Sequence, residues 1–175
     1  QLSGLEIRGG ELTTESIWDD TDIVHMLFDS IEVGNLHSSG GLRLFSRAEE
    51  SLVVKLSGGG TAFSSTSGTG LTATGSVGDI DDRIGGTVQI IGMPGSPVVL
   101  TSLADDTVGA GLMPDGTSFL DTNGDSFASR PEPNDWRSIL FEENANYTNI
   151  EFILEQELQS EVSPGLNGSG VTAQA

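Results

Sequence analysis

The residues best suited to chemistry in this sequence form a short run of oxygen-bearing side chains, Asp121-Thr122-Asn123-Gly124-Asp125-Ser126. Alternate residues of a tight turn point the same way, so the side chains of Asp121, Asn123 and Asp125 are expected to face one point. Carboxylate and amide oxygens are the ligands that hard Ca²⁺ prefers, and the ion takes about six to eight of them. The pattern therefore predicts a calcium site, and the plain alternative is a polar turn that binds nothing.

The spacing of this run resembles the calcium loop of EF-hand and dockerin-like repeats. That resemblance implies three further ligands, which are the backbone carbonyl of Phe127, Ser129 and Glu132. Two features depart from the family's pattern. Ser126 stands where the loop has glycine, and a proline lies on each side of Glu132. We therefore expect a calcium-binding loop that lacks the flanking helices of an EF-hand.

Other catalytic chemistry has little support in the residues. The chain has no cysteine, and its two histidines, His25 and His37, have no cluster of partner ligands. Acidic residues also cluster at 19–22, 79–82 and 105–106, where they read as solvated loop ends or as shared cation sites. A chain with 26 acidic residues offers pairs of carboxylates by chance. We therefore expect no enzyme, with a polysaccharide lyase or glycoside hydrolase as the alternative.

The balance of charged residues limits the kinds of partner that the chain can bind. Against 26 acidic residues stand seven basic ones, including a single lysine, Lys55, which gives a formal net charge of −19. Such a surface repels nucleic-acid phosphate and anionic lipid. No apolar run approaches the roughly 18 residues that span a bilayer. The composition fits a surface exposed to salt or divalent cations, so we expect an extracellular or cell-surface location.

Apolar residues occur in short clusters separated by Gly, Asn, Asp, Ser and Pro, which is typical of strands. The clearest clusters lie at residues 52–54, 87–91, 98–100, 138–141 and 150–154, and a first strand is expected around residues 2–7. The stretch 23–33 fits either a helix or a strand. Residues 58–78 and 103–133 are predicted to be long polar loops.

Alternation along these clusters also predicts which side chains share a core. The expected members are Val88, Ile90, Val98, Leu100, Ile139, Phe141, Ile150, Phe152 and Leu154. All of them should face the same way if the strands stack on one another.

Residues 85–102 are similar to rungs of right-handed parallel β-helix repeat proteins, as found in large secreted bacterial surface proteins. In those proteins a strand ends at Gly, a short Pro/Gly turn follows, and a second strand begins. Residues 135–141 and 146–154 look like the following rungs, and residues 12–18 resemble a first coil. The resemblance covers roughly residues 10–157. It implies an all-β fold, a short right-handed parallel β-helix, with a β-sandwich as the alternative.

We expect one β-rich domain over residues 1–160 and a polar tail over 161–175. Stacked rungs bury a continuous core, but an open end exposes unpaired backbone groups. Residues 1–8 or 163–175 are therefore expected to pair with sheets of neighbouring copies of the chain. The fold resemblance implies a calcium-stabilised structural module of a surface layer, adhesin or filament. The alternative is a carbohydrate-binding or polysaccharide-degrading β-helix protein.

Overall fold

A computed structural model shows that the chain folds as β-structure. The structure describes residues 2–34, 41–58, 68–75, 83–146 and 148–149. The strands are β1 (Leu5–Ile7), β2 (Gly10–Leu12), β3 (Ser16–Trp18), β4 (His25–Leu27), β5 (Ile31–Val33), β6 (Leu42–Phe45), β7 (Leu52–Leu56), β8 (Leu71–Ala73), β9 (Arg83–Ile84), β10 (Val88–Ile91), β11 (Val98–Ser102), β12 (Ile139–Phe141) and β13 (Thr148–Asn149). Among the described residues, no helix is long and apolar enough to cross a membrane.

Most strands belong to three parallel sheets. The first sheet has the order β1-β4-β7-β11, the second β2-β5-β8-β12 and the third β3-β6-β10. Strands β9 and β13 form a separate antiparallel pair. The chain visits the first, second and third sheets in that order three times and then returns to the first and second. The expected all-β class is confirmed, and the parallel pairing differs from the antiparallel sheets of a β-sandwich.

Successive layers of each sheet lie in register. In the first sheet Leu5 pairs with His25, His25 with Val54, and Val54 with Leu100. Side chains alternate between the two faces of a strand, so each such column presents one kind of face to the interior. The register therefore decides which residues of every layer are buried together.

The tight turns that precede β7 and β11 also stack on each other. Each turn is closed by an antiparallel bridge, Arg47 with Glu50 and Met93 with Ser96. The Ser46 hydroxyl joins the two turns, because it donates to the Ser96 carbonyl and accepts from the Met93 N–H at 2.8 Å. Hydrogen bonds thus continue from layer to layer beyond the strands themselves.

The three sheets share one hydrophobic core. Its buried members are Trp18, Leu27, Ile31, Val33, Leu42, Leu44, Leu52, Val54, Leu56, Leu71, Ala73 and Val88. Leu71 and Ala73 form β8, although residues 58–78 were expected to be loop. A strand of three residues among Gly, Ser and Thr gives too little alternation to be recognised. Residues 23–33, which fitted a helix or a strand, contain β4 and β5.

The predicted membership of the core is confirmed in part. Ile90 and Phe141 are 39% and 47% exposed, although their register partners Leu44 and Ala73 are buried. Among the described strands, β10 and β12 are the last of their sheets, so described strands cover their inward side chains from one side only. The members found in or against the core are Val88, Val98, Leu100 and Ile139. Outside the described residues lie Ile150, Phe152 and Leu154.

Truncation of an inward side chain in a middle strand should lower the free energy of unfolding. Leu44 has no exposed surface and Ile17, on the outward face of the same sheet, is 51% exposed. We expect Leu44→Ala to lower the free energy of unfolding by about 2–5 kcal/mol, because it leaves a cavity. Ile17→Ala should change it by less than about 0.5 kcal/mol. Urea denaturation of both variants measures this, and equal losses would contradict the assignment of the two faces.

Candidate metal centre

Residues 103–133 form a strap across the outward face of the first sheet. No named strand lies within this stretch, all of which is described, in keeping with the loop expected there. Apolar contacts hold it to the sheet, with Leu103, Val108 and Ala110 packed on Val24, Met26 and Val53. At its far end the Thr122 carbonyl accepts from the Ser3 N–H at 3.0 Å, just before β1. The strap therefore reaches from β11 across the whole first sheet.

Lys55 lies under the strap, in the middle of β7. Its side chain has no exposed surface, and its Nζ donates to the Leu120 carbonyl at 3.0 Å. Burial lowers the pKa of Lys55, while the charges of Asp106, Asp105 and Asp121 act in the opposite direction. A buried ammonium group is costly unless it is paired and hydrogen-bonded. The strap supplies both the carbonyl and the compensating carboxylates.

Three carboxylates of the strap converge near this lysine. One oxygen from each of Asp106, Asp121 and Asp125 lies within 4.8 Å of the others. Calcium ligands lie about 2.4 Å from the ion, so two oxygens on opposite sides of one ion are at most about 4.8 Å apart. The spacing fits a single divalent cation. The strap has two arms, an outgoing arm that carries Asp106 and a returning arm that carries Asp121 and Asp125. Such an ion would join them.

Asp106 is the member of the triad whose carboxylate lacks hydrogen-bond donors in the described structure. Both of its carboxylate oxygens are buried, and neither has a hydrogen-bond partner among the described residues. Burial raises the pKa of Asp106, and repulsion from Asp125 adds to the effect. Burial alone would also raise the pKa of Asp105, but hydrogen bonds from Thr101 and Thr107 lower it. A buried carboxylate without donors needs a cation or a proton.

Asp121 holds the turn that carries the returning arm. Its Oδ1 accepts from the N–H groups of Gly124 at 2.8 Å and Asp125 at 3.1 Å, and its Oδ2 accepts from Ser126 N–H at 2.9 Å. Ser126 and Phe127 have φ values of 62° and 65°, in the left-handed region that non-glycine residues seldom adopt. The carboxylate hydrogen bonds hold this strained backbone in place.

Asn123 and Ser129 fix the orientation of Asp125. Asn123 Nδ2 donates to Asp125 Oδ2 at 3.0 Å, and the Ser129 N–H donates to the same oxygen at 2.9 Å. The Ser129 hydroxyl also donates to this oxygen and lowers the pKa of Asp125. Asp125 is therefore held in its ionised form, which is the form that binds a metal.

The structure brings four of the six predicted ligand residues together. Asp121 and Asp125 belong to the triad, and Asn123 and Ser129 contact Asp125. The Phe127 side chain is 61% exposed, and the Glu132 side chain is exposed outside the triad.

Sequence reasoning missed two residues of this site, Asp106 and Lys55. Asp106 was visible only as part of an acidic pair, and Lys55 only as the single lysine. Neither has a fixed spacing from residues 121–132, because the strap and the sheet bring them together over long range. A lone lysine between valine and leucine in a strand pattern is the one signal that could have suggested a buried charge.

Of the two histidines, His25 lies among the described residues. His25 is 2% exposed and stacks on Trp18 with ring centroids 5.5 Å apart. Its Nδ1 has no hydrogen-bond partner among the residues that the structure describes. Burial lowers the pKa of His25, and the charge of Asp20 opposes this only in part. His37 lies outside the described residues.

A polar hollow of about 790 Å³ lies beside the strap. Two carboxylate residues, Glu132 and Asp135, are among its lining residues, which include no aromatic ring. Asp135 Oδ2 accepts from the Ser102 hydroxyl at 2.5 Å and from the Glu132 N–H at 2.8 Å. Opposed free carboxylates with exposed aromatic rings would favour carbohydrate chemistry. Here the Asp135 carboxylate instead ties the end of the strap to β11.

A scan against protein-family models found no match to the chain. Searches of curated proteins and of solved structures also found no significant match. Function is therefore inferred below from the chain's own residues.

The buried histidine should make stability depend on pH. Its pKa in the folded chain lies below the ordinary value of 6.5, so the unfolded chain takes up the proton first as the pH falls. Stability should be fully present above about pH 6.5 and decline below it. His25→Phe keeps an aromatic ring beside Trp18 and should flatten this decline. Urea midpoints between about pH 5 and 8 test this, and an equally steep profile in the variant would contradict it.

Proposed function

We propose that the chain is a structural module built as a short right-handed parallel β-helix. The observation that supports this most is the repeated route through three parallel sheets in register. Each circuit of the three sheets corresponds to one rung, and crossovers between parallel strands are almost always right-handed. Because the strands of these sheets have only three to five residues, the layers must stack to bury a core.

We propose an extracellular role for this module, as part of a surface layer, adhesin or filament. The net charge of −19 and the single lysine support a surface exposed to salt or divalent cations, as outside the cell. Extracellular calcium-binding modules work with dissociation constants of about 10⁻⁴–10⁻³ M, which a carboxylate cluster of this kind can reach. Calcium would then be a permanent part of the folded protein rather than a signal.

We propose that Asp106, Asp121 and Asp125 bind one calcium ion. Their spacing and the unpartnered oxygens of Asp106 support the site. Asn123, Ser129, Glu132, the Phe127 carbonyl and water are the candidates for the remaining oxygen ligands. The ion would join the two arms of the strap and offset the repulsion among the carboxylates. The strap would then hold the four strands of the first sheet as one unit.

Asp106→Asn tests this site most cleanly, because Asp106 makes no hydrogen bond that the fold would lose. Without calcium, Asp106→Asn removes both the repulsion between Asp106 and Asp125 and a charge that stabilises the buried Lys55 ammonium, so the stability of each protein in EDTA serves as its own baseline. Calcium at about 100 times its dissociation constant should stabilise the wild type by about 2.7 kcal/mol. The variant should gain less than half of this. Thermal unfolding in EDTA and in calcium gives both comparisons.

Asp115→Asn is the matched control for this experiment. Asp115 is exposed, lies in the same strap and belongs to a turn in which it accepts from Thr117. Its variant should respond to calcium as the wild type does. A full calcium response in Asp106→Asn would show that the triad is not the site.

We also propose that copies of the chain associate through the ends of the stack. In the part of the chain that the structure describes, β1, β2 and β3 at one end and β10, β11 and β12 at the other are edge strands. Residues 1–8 were expected to join another copy, and within this segment residues 5–7 pair with β4 of their own chain. They would therefore offer their outer edge to a second copy. The other expected segment, 163–175, lies outside the described residues.

Charged substitutions at the exposed end of the core test this association. We expect the wild type to self-associate in calcium and salt, which screen the net charge of −19. Ile90→Lys with Phe141→Lys should give monomers, because both side chains lie over the uncovered end of the core. Ile91→Lys, on the outward face of the same strand, should associate normally.

Sedimentation velocity measures all three proteins. A wild type that stays monomeric at high protein and calcium concentration would exclude assembly through the ends, and the chain would then act as a single module.

A further inference from the structure

A small apolar pocket lies on the strap, and Asp121 of the acidic triad is one of its lining residues. Its volume is about 360 Å³, and Met113, Phe119, Leu120 and Phe127 supply its apolar walls. Large side chains around it are open to solvent, with Met113 42% and Phe127 61% exposed, and Leu112, next to Met113, 73% exposed. Exposed apolar groups that surround a concave site mark a contact surface more often than scattered ones do.

The backbone at Phe127 is held in a conformation that keeps this ring outside. Its φ of 65° is rare for a bulky residue and carries a strain energy. Hydrogen bonds on both sides maintain it, from Ser126 N–H to Asp121 and from Ala128 N–H to Asp125 at 2.8 Å. Glycine would fit this position without strain. An exposed phenylalanine here therefore carries a conformational cost that glycine would avoid.

The charge around the pocket decides what kind of partner fits. Asp121 is the only charged residue among those that line it. Asp115 stands at the adjacent turn, close to Met113, and the chain as a whole carries a net charge of −19. A second acidic copy is repelled from this surface unless salt screens the charges, whereas a cationic segment is attracted to it.

We propose that this pocket binds a peptide segment of another protein that presents one apolar side chain next to lysine or arginine. The apolar side chain enters between Met113 and Phe127, in the manner of a buried anchor residue. The basic neighbours lie over Asp115, at the turn beside the pocket. This partner contact is separate from the ends of the stack and does not depend on whether copies of the chain associate.

Selection of peptides on the folded protein tests the proposal. Random peptides of about twelve residues on phage would be selected on the wild type after depletion on Phe127→Gly. Glycine adopts the left-handed backbone at this position, so this variant should melt no lower than the wild type. The enriched peptides should carry an apolar residue beside lysine or arginine. Their affinity should fall steeply as salt rises.

The best enriched peptide, made synthetically, gives the quantitative comparison. Phe127→Gly and Met113→Ser should each weaken its binding at least about tenfold, as removal of an anchor contact does. Met93→Ser is the matched control, because Met93 is 44% exposed in a turn at the other edge of the first sheet, and it should leave binding unchanged.

Three results would overturn the proposal. One is the failure of any peptide to survive the depletion step, and another is an equal loss of binding in Met93→Ser. The third is self-association of the wild type that Phe127→Gly abolishes, which would make a second copy the occupant of the pocket.

Discussion

The whole structure depends on one constraint, which is that strands of three to five residues bury a shared core only by stacking on one another. Leu44, Leu56 and Leu71 lie in middle strands and have no exposed surface. Ile90 and Phe141 face the same interior from the last strands and are largely exposed. Burial here is therefore a property of position in the stack, and each layer completes the core of its neighbour.

The composition of the outward faces explains why the strap covers the first sheet. On the outward face of the second sheet, Glu11, Glu32 and Thr72 form one column of polar residues that water can cover. The corresponding column of the first sheet contains Met26 and Lys55, which are both buried. An apolar outward face with one ammonium group needs a cover that supplies both apolar side chains and negative charge. The strap supplies both, and its carboxylates then create the candidate metal centre.

Features that depend on neighbouring residues could be predicted from the sequence, whereas features that depend on contacts between distant residues could not. Clusters of β-branched residues indicated β7, β10 and β11, and the turn at residues 121–126 was recognisable from its own spacing. The strand β8 was missed because it has three residues in a polar stretch. Asp106 was missed as a ligand because only the path of the strap brings it to Asp121. The local sequence pattern thus predicted the turn, whereas the position of Asp106 beside it could be known only from the three-dimensional fold.

We propose that calcium joins the two arms of the strap and so holds the first sheet together. Hydrogen–deuterium exchange with and without calcium measures this directly, because local opening sets the exchange rate of each amide. Calcium should slow exchange in residues 103–133 and in the strands β4 and β7 that they cover. Exchange in β5 and β8 of the second sheet should change much less. Equal exchange of the strap with and without calcium would contradict the account.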